Sequence, residues 1–130
     1  MAYLLDTTTL AEVLRAAPSR QFVRRLASVP SKDRWTSVVT VGHLLLAARR
    51  AQHARLMQNV VNLVGSVRVA PFDVTAAQTF AKFRATVAAD ASNDDVMIAA
   101  ITAAGGFTLV TARTHAFAVF PNLHVEDWIG

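Results

Sequence analysis

Two hydrophobic rhythms alternate along this chain: short apolar runs of strand length, and longer stretches with apolar positions spaced as on a helix face. Tyr3 to Leu5 predicts a buried strand, and Thr7, Thr8 or Thr9 is placed to cap a helix running to about Ala16. Pro18-Ser19 breaks the pattern. Arg20 to Ser28 reads as a helix with Phe22, Val23 and Leu26 on one face and Arg20, Arg24 and Arg25 elsewhere. Pro30-Ser31-Lys32-Asp33 predicts a turn, and Trp35 to Val39 a strand. Thr40 can cap one long helix from Val41 to about Val64, its inner face carrying Leu44, Leu45, Ala48, Leu56, Val60 and Leu63, with Gly65 just past its end.

Val67 to Ala70 is a further short strand, and Pro71-Phe72-Asp73 a turn. Asp73 or Thr75 can cap a helix to about Val87, and Ala88 to Asn93 forms a short linker. Asp94 and Asp95 then open an Ala-rich helix that stops at Gly105-Gly106. Phe107 to Thr111 predicts a strand, His115 to Phe120 a turn of helix, and Leu123 to Val125 a last strand. Strands alternating with helices predict a three-layer α/β/α fold around a mostly parallel sheet. No internal repeat or linker divides residues 1–130, so a single domain is expected.

Composition narrows the partners more than the fold. Apolar residues make up 53% of the chain, enough for a core and a hint that a partner or a second copy covers some surface. Lys and Arg outnumber Asp and Glu by 13 to 9, giving a net charge of +4, which favours nucleic acid or an acidic protein segment if it is more than a solvated surface. The absence of cysteine excludes disulfides and thiolate metal sites. No apolar run reaches the roughly 18 residues of a membrane span. The N-terminus has no basic region, and Asp6 interrupts its apolar stretch, so no signal peptide is expected and the chain reads as cytoplasmic.

The candidate chemistry lies in aspartates at element ends. Asp6 follows the first strand, and Asp94 and Asp95 begin a late helix, where α/β proteins gather metal and phosphate groups. Plain structural roles compete with this. Asp6 suits a cap on the Thr7-Thr8-Thr9 turn, and an acid in a first helical turn complements the helix dipole.

Four segments, in order, resemble the PIN-domain family and within it the VapC-like toxins of toxin–antitoxin pairs. They are Tyr3-Leu4-Leu5-Asp6-Thr7, Thr36 to Leu45, Asn93-Asp94-Asp95-Val96-Met97-Ile98-Ala99-Ala100, and Phe107 to Thr111 with Phe117 and the tail Leu123 to Trp128. The resemblance implies a Mg²⁺- or Mn²⁺-dependent ribonuclease that pairs with an antitoxin-like protein and dimerises. In such an enzyme carboxylates hold the ion, and the ion activates water and stabilises charge on the phosphate. By the family pattern Asp6 and Asp95 are the metal ligands, and His43 takes the third corner where a glutamate is expected. Asp94 is a substitute acid, although its side chain points about 100° from that of Asp95 around a helix.

Two further places depart from the pattern. After Thr111 the family shows Arg-Asn and then an acid before Phe; here Ala112, Arg113 and Ala116 stand there. Glu to His and Asp to Ala each remove a negative charge and Asn to Arg adds a positive one, so the site is about three units more positive than the pattern. At roughly 6–8 Å and an effective dielectric near 20, each unit costs a bound cation on the order of 2–3 kcal/mol. Two functions follow: a metal-dependent ribonuclease of weakened or lost activity, or a non-catalytic PIN-like protein that binds a partner, itself or RNA. His43 is a ligand or base, or a histidine simply hydrogen-bonded in place. Arg113 holds a phosphate, fills the site by pairing with Asp6 or Asp95, or lies exposed. Arg49, Arg50 and Arg55 form an RNA- or antitoxin-facing patch or a solvated helix face. Trp35 and Trp128 read as core or interface residues, since no basic residues interleave with them in sequence.

Overall fold

The computed structural model of the protein describes residues 1–87 and 90–130. The predicted linker Ala88 to Asn93 therefore lies partly outside the described residues. Five strands form one sheet: β1 (Tyr3–Leu5), β2 (Arg34–Ser37), β3 (Arg68–Ala70), β4 (Thr108–Val110) and β5 (Val125–Glu126). Their order is β3-β2-β1-β4-β5, and every neighbouring pair is parallel. Among the described residues seven α-helices accompany them: α1 (Thr7–Val13), α2 (Arg20–Ala27), α3 (Val38–Ala51), α4 (Ala54–Gly65), α5 (Val74–Thr86), α6 (Asn93–Gly105) and α7 (Thr114–Phe117). This is the three-layer α/β/α arrangement that the strand–helix rhythm predicts.

The period of two along each strand feeds the two faces of the sheet. Leu4 and Leu109, paired in register across β1 and β4, enter a core with Ile98, Ala99, Phe83 and Phe117. Leu5 and Val110, one residue on, enter a second core with Leu10, Phe22, Leu44, Val60 and Trp128. The small side chains of α6 let α5 lie along it, and Ile98, Ala99, Ala100 and Ile101 are buried there. Each face thus buries one apolar row, as an all-parallel sheet requires.

Several boundaries differ from the sequence reading, mostly through capping. The long helix expected from Val41 to Val64 is two helices. Gln52 adopts a left-handed conformation (φ 52°) that ends α3, and His53 caps α4 by accepting from the Leu56 amide at 3.1 Å. Apolar spacing continues across the break, so periodicity alone cannot reveal it. The cap of α3 is Ser37 rather than Thr40, which shortens β2 to Ser37. Gly65 is the last residue of α4, with Ser66 beyond it. Asp6, not a threonine, caps α1, which ends at Val13 rather than Ala16. Ser92 caps α6, one turn ahead of the aspartates, and Gly106 closes it at φ 70°, a conformation that favours glycine. The last strand falls at Val125–Glu126 rather than Leu123 to Val125.

Candidate acidic site

The strand order reverses around β1: the chain steps outward through β2 and β3 on one side, then returns to β4 on the other. A crevice at the carboxyl ends of the strands opens at such a point. Asp6 immediately follows β1, Thr111 immediately follows β4, and Arg113 lies two residues further on. The topology therefore brings the first acid of the chain to the segment that carries Ala112 and Arg113.

Asp6 is only 2% exposed, and its carboxylate is enclosed by neutral donors. Oδ1 accepts from the Thr8 hydroxyl at 2.7 Å and the Thr9 amide at 3.1 Å, while the Thr9 hydroxyl, 3.3 Å away, donates to the Val110 carbonyl at 2.7 Å. Oδ2 accepts from the Thr111 hydroxyl at 2.6 Å. Both the helix-cap role and the position beside the crevice therefore belong to one side chain. Thr111 extends the network, because its Oγ1 accepts from the Arg113 amide at 3.0 Å. The Thr8 hydroxyl likewise accepts from the Ala112 amide at 3.0 Å. The loop after β4 is thus held against the end of β1.

Asp95 sits in the first turn of α6, three residues after the Ser92 cap. An acid there often returns to the cap's own amide. Here both its oxygens receive the Arg113 guanidinium instead, Nη1 to Oδ1 at 3.0 Å and Nη2 to Oδ2 at 2.8 Å. Of the alternatives open to Arg113, the contact formed is with Asp95 and not with Asp6. The Arg113 guanidinium also lies over the Phe117 ring, 5.7 Å from its centroid, which fixes the plane of the fork. Its pKa is raised, first by hydrogen bonding to Asp95, against the opposing pull of burial, and further by the charges of Asp95 and Asp6. A bidentate guanidinium–carboxylate pair is the geometry in which arginine outperforms lysine.

Asp94 and Asp95 point to different partners, as their separation around the helix requires. Asp94 is exposed and meets His43 Nε2 at 2.7 Å, while His43 Nδ1 faces the Thr7 hydroxyl at 3.3 Å. His43 thereby links α3, α1 and α6 through one ring. Ala116 is partly buried, packing at the edge of the core, and lines an open cavity of about 430 Å³ with Ser92, Asp95, Arg113 and His115.

The donor set decides how far a divalent ion fits. Hard cations want several free oxygens converging on one point. The Asp6 oxygens already accept three hydrogen bonds, both Asp95 oxygens are taken by Arg113, and one Asp94 oxygen meets His43. Among the described residues no three His, Asp or Glu side chains converge. As arranged, the residues do not fit a tightly held Mg²⁺ or Mn²⁺.

Other candidate residues lie elsewhere. Arg49, Arg50 and Arg55 are exposed around the α3–α4 break. Both tryptophans carry a cation that the sequence order conceals: Arg68 lies 5.6 Å from the Trp35 ring, and Arg25 lies 5.1 Å from the Trp128 ring and 5.8 Å from Tyr3. Trp35 also packs on Phe107, and Trp128 is buried. Sequence reasoning missed the hydroxyl cage; its signal was the Thr7-Thr8-Thr9 run beside Asp6, read only as a choice of caps. No helix among the described residues is long and apolar enough to cross a membrane.

Comparison with known proteins agrees with this arrangement. The PIN domain family model matches residues 3–120. Toxin FitB of Neisseria gonorrhoeae is 30% identical over 124 residues, covering 89% of this chain and 84% of that protein. The solved structure of FitAcB from Neisseria gonorrhoeae matches with a TM-score of 0.74 and 28% identity, covering 95% of each chain. VapBC-1 from nontypeable Haemophilus influenzae matches over the full length of both chains, with a TM-score of 0.87 and 21% identity, a likeness of fold. The chain thus belongs to the PIN-domain family.

Proposed function

We propose that this chain is the toxin-type member of a toxin–antitoxin pair, of ribonuclease descent, whose RNA cleavage is weakened or lost while partner binding is kept. Its likeness to Toxin FitB over most of both chains supports the toxin-type reading. An antitoxin-like protein is the partner that this likeness implies. Association with a second copy agrees with exposed apolar side chains at Val38, Leu46, Val61, Val74 and Val119. The weakening rests on one observation: Asp95 gives both its oxygens to Arg113. His43 and Ala116 in place of the expected acids act in the same direction.

A second reading is an active metal-dependent endoribonuclease with Asp6 and Asp95 as metal ligands and His43 as the third corner. The survival of both acids at the carboxyl-end crevice favours it. Cleavage separates the two readings. The purified chain is incubated with single-stranded and structured RNA in Mg²⁺ and in Mn²⁺, beside the variant His43→Glu/Arg113→Asn/Ala116→Asp. The chain is also co-expressed with the product of any short neighbouring reading frame. The proposal expects background cleavage by the wild type and a stable complex with the neighbouring product. Metal-dependent wild-type cleavage that Asp6→Asn abolishes would establish the second reading instead.

A further inference from the structure

We propose that Arg113 is a tethered cation that takes the place of a metal ion at Asp95, so that this PIN fold completes its acidic site with its own side chain. The inference deepens the reading of weakened cleavage and rests on it for the meaning of the site, but its geometry stands alone. The guanidinium makes two parallel contacts to one carboxylate at 3.0 and 2.8 Å. It is anchored at three further points. Phe117, a buried residue, lies beneath it. Its amide is held by Thr111 Oγ1, and that same hydroxyl donates to Asp6. Asp6 adds attraction at longer range. One residue therefore reads both retained acids, Asp95 through its side chain and Asp6 through Thr111.

A cation delivered by the chain has a concentration advantage over one from solution, because its encounter with Asp95 is intramolecular. It also supplies one positive charge to a site in which His43 and Ala116 stand where the family pattern has acids. His43 engages Asp94 through a single contact, so among the described residues both carboxylates of the helix start have a partner. The site is then saturated without any metal, and an ion must displace Arg113 to enter. Charge, not shape, is what excludes it.

The test counts free Mn²⁺ by electron paramagnetic resonance, in the absence of RNA, for wild type, Arg113→Lys, Arg113→Asn and Arg113→Gln. Circular dichroism checks folding of each, and the glutamine variant keeps one more methylene than asparagine beside Phe117 in case the asparagine variant does not fold. The folded neutral variants are expected to bind Mn²⁺ at least ~10-fold more tightly than the wild type. Arg113→Lys, which keeps the charge, is expected to resemble the wild type. Adding Asp95→Asn to a neutral variant should remove the gain. Mn²⁺ binding by the folded neutral variants no tighter than wild type would overturn the proposal, as would tight binding by the wild type itself. RNA cleavage enters none of these readouts, so the tethered-cation proposal and the weakened-ribonuclease reading can fail separately.

Discussion

Asp6 and Asp95 are the two acids that the resemblance singles out, yet the fold holds them in opposite ways. Asp6 is 2% exposed and surrounded by hydroxyls and an amide, all neutral. Asp95 has 15% of its side chain exposed and meets a guanidinium that is itself 46% exposed. A buried anion satisfied by dipoles is fixed by the folding of its own neighbourhood, since every donor comes from α1 or from the end of β4. An anion at the rim, satisfied by a mobile-length cation, is fixed by one side chain that another cation can replace. The first arrangement stabilises the fold; the second sets what the site can bind.

Substitutions should separate these roles in order of size. Asp6→Ala removes the α1 cap and leaves the Thr9 amide and the hydroxyls of Thr8 and Thr111 without their acceptor. It should destabilise the protein by roughly 2–4 kcal/mol, read from chemical denaturation. Asp6→Asn keeps the shape and should cost less, and the loss comes from the hydroxyl cage rather than from an unpaired Arg113, since Arg113 pairs with Asp95. Thr111→Val removes one donor to Asp6 and one acceptor from the Arg113 amide, with an expected loss of about 1–2 kcal/mol. If Thr111→Val costs as much as Asp6→Ala, the hydroxyl and not the cap dominates this region.

The rim should respond far less. Asp95→Asn is expected to change stability by under about 1 kcal/mol, because exposed ion pairs contribute little. That small difference should shrink further as salt is raised from about 0.05 to about 0.5 M. An Asp95→Asn loss as large as that of Asp6→Ala would erase the contrast between the two acids. The smallest effect concerns pH. The raised pKa of Arg113 means that its contribution is complete below its unfolded value and is lost only as pH rises through the folded value. Both lie in strongly alkaline solution, so the difference in melting temperature between wild type and Arg113→Ala should be equal at about pH 7 and about pH 9.

The contrast also explains what the sequence could convey. The α/β/α class, the five strands and the position of both acids follow from local patterns: apolar runs, helix spacing and turn residues. Boundaries follow from caps, and several polar residues compete at them; Asp6 over Thr7 and Ser37 over Thr40 are choices made by backbone geometry. The α3–α4 break depends on one non-glycine residue in a left-handed conformation, which leaves no mark on hydrophobic spacing. Within the site, the expectation of acids at positions 43 and 116, where His43 and Ala116 stand, comes from resemblance alone. The pairing of Arg113 with Asp95, of His43 with Asp94 and of Thr111 with Asp6 joins residues 18, 51 and 105 positions apart, and only the crossovers of the sheet bring them together. Arg68 over Trp35 was hidden for the same reason.

The central claim is that this acidic site no longer holds a divalent ion unaided. Calorimetric titration of Mn²⁺ and Mg²⁺ into wild type and Asp6→Asn, each with and without a non-cleavable RNA, tests it most directly. The account predicts no tight binding by the wild type without RNA and no difference from Asp6→Asn under that condition. Tight wild-type binding without RNA that disappears in Asp6→Asn would contradict it and establish a working metal site.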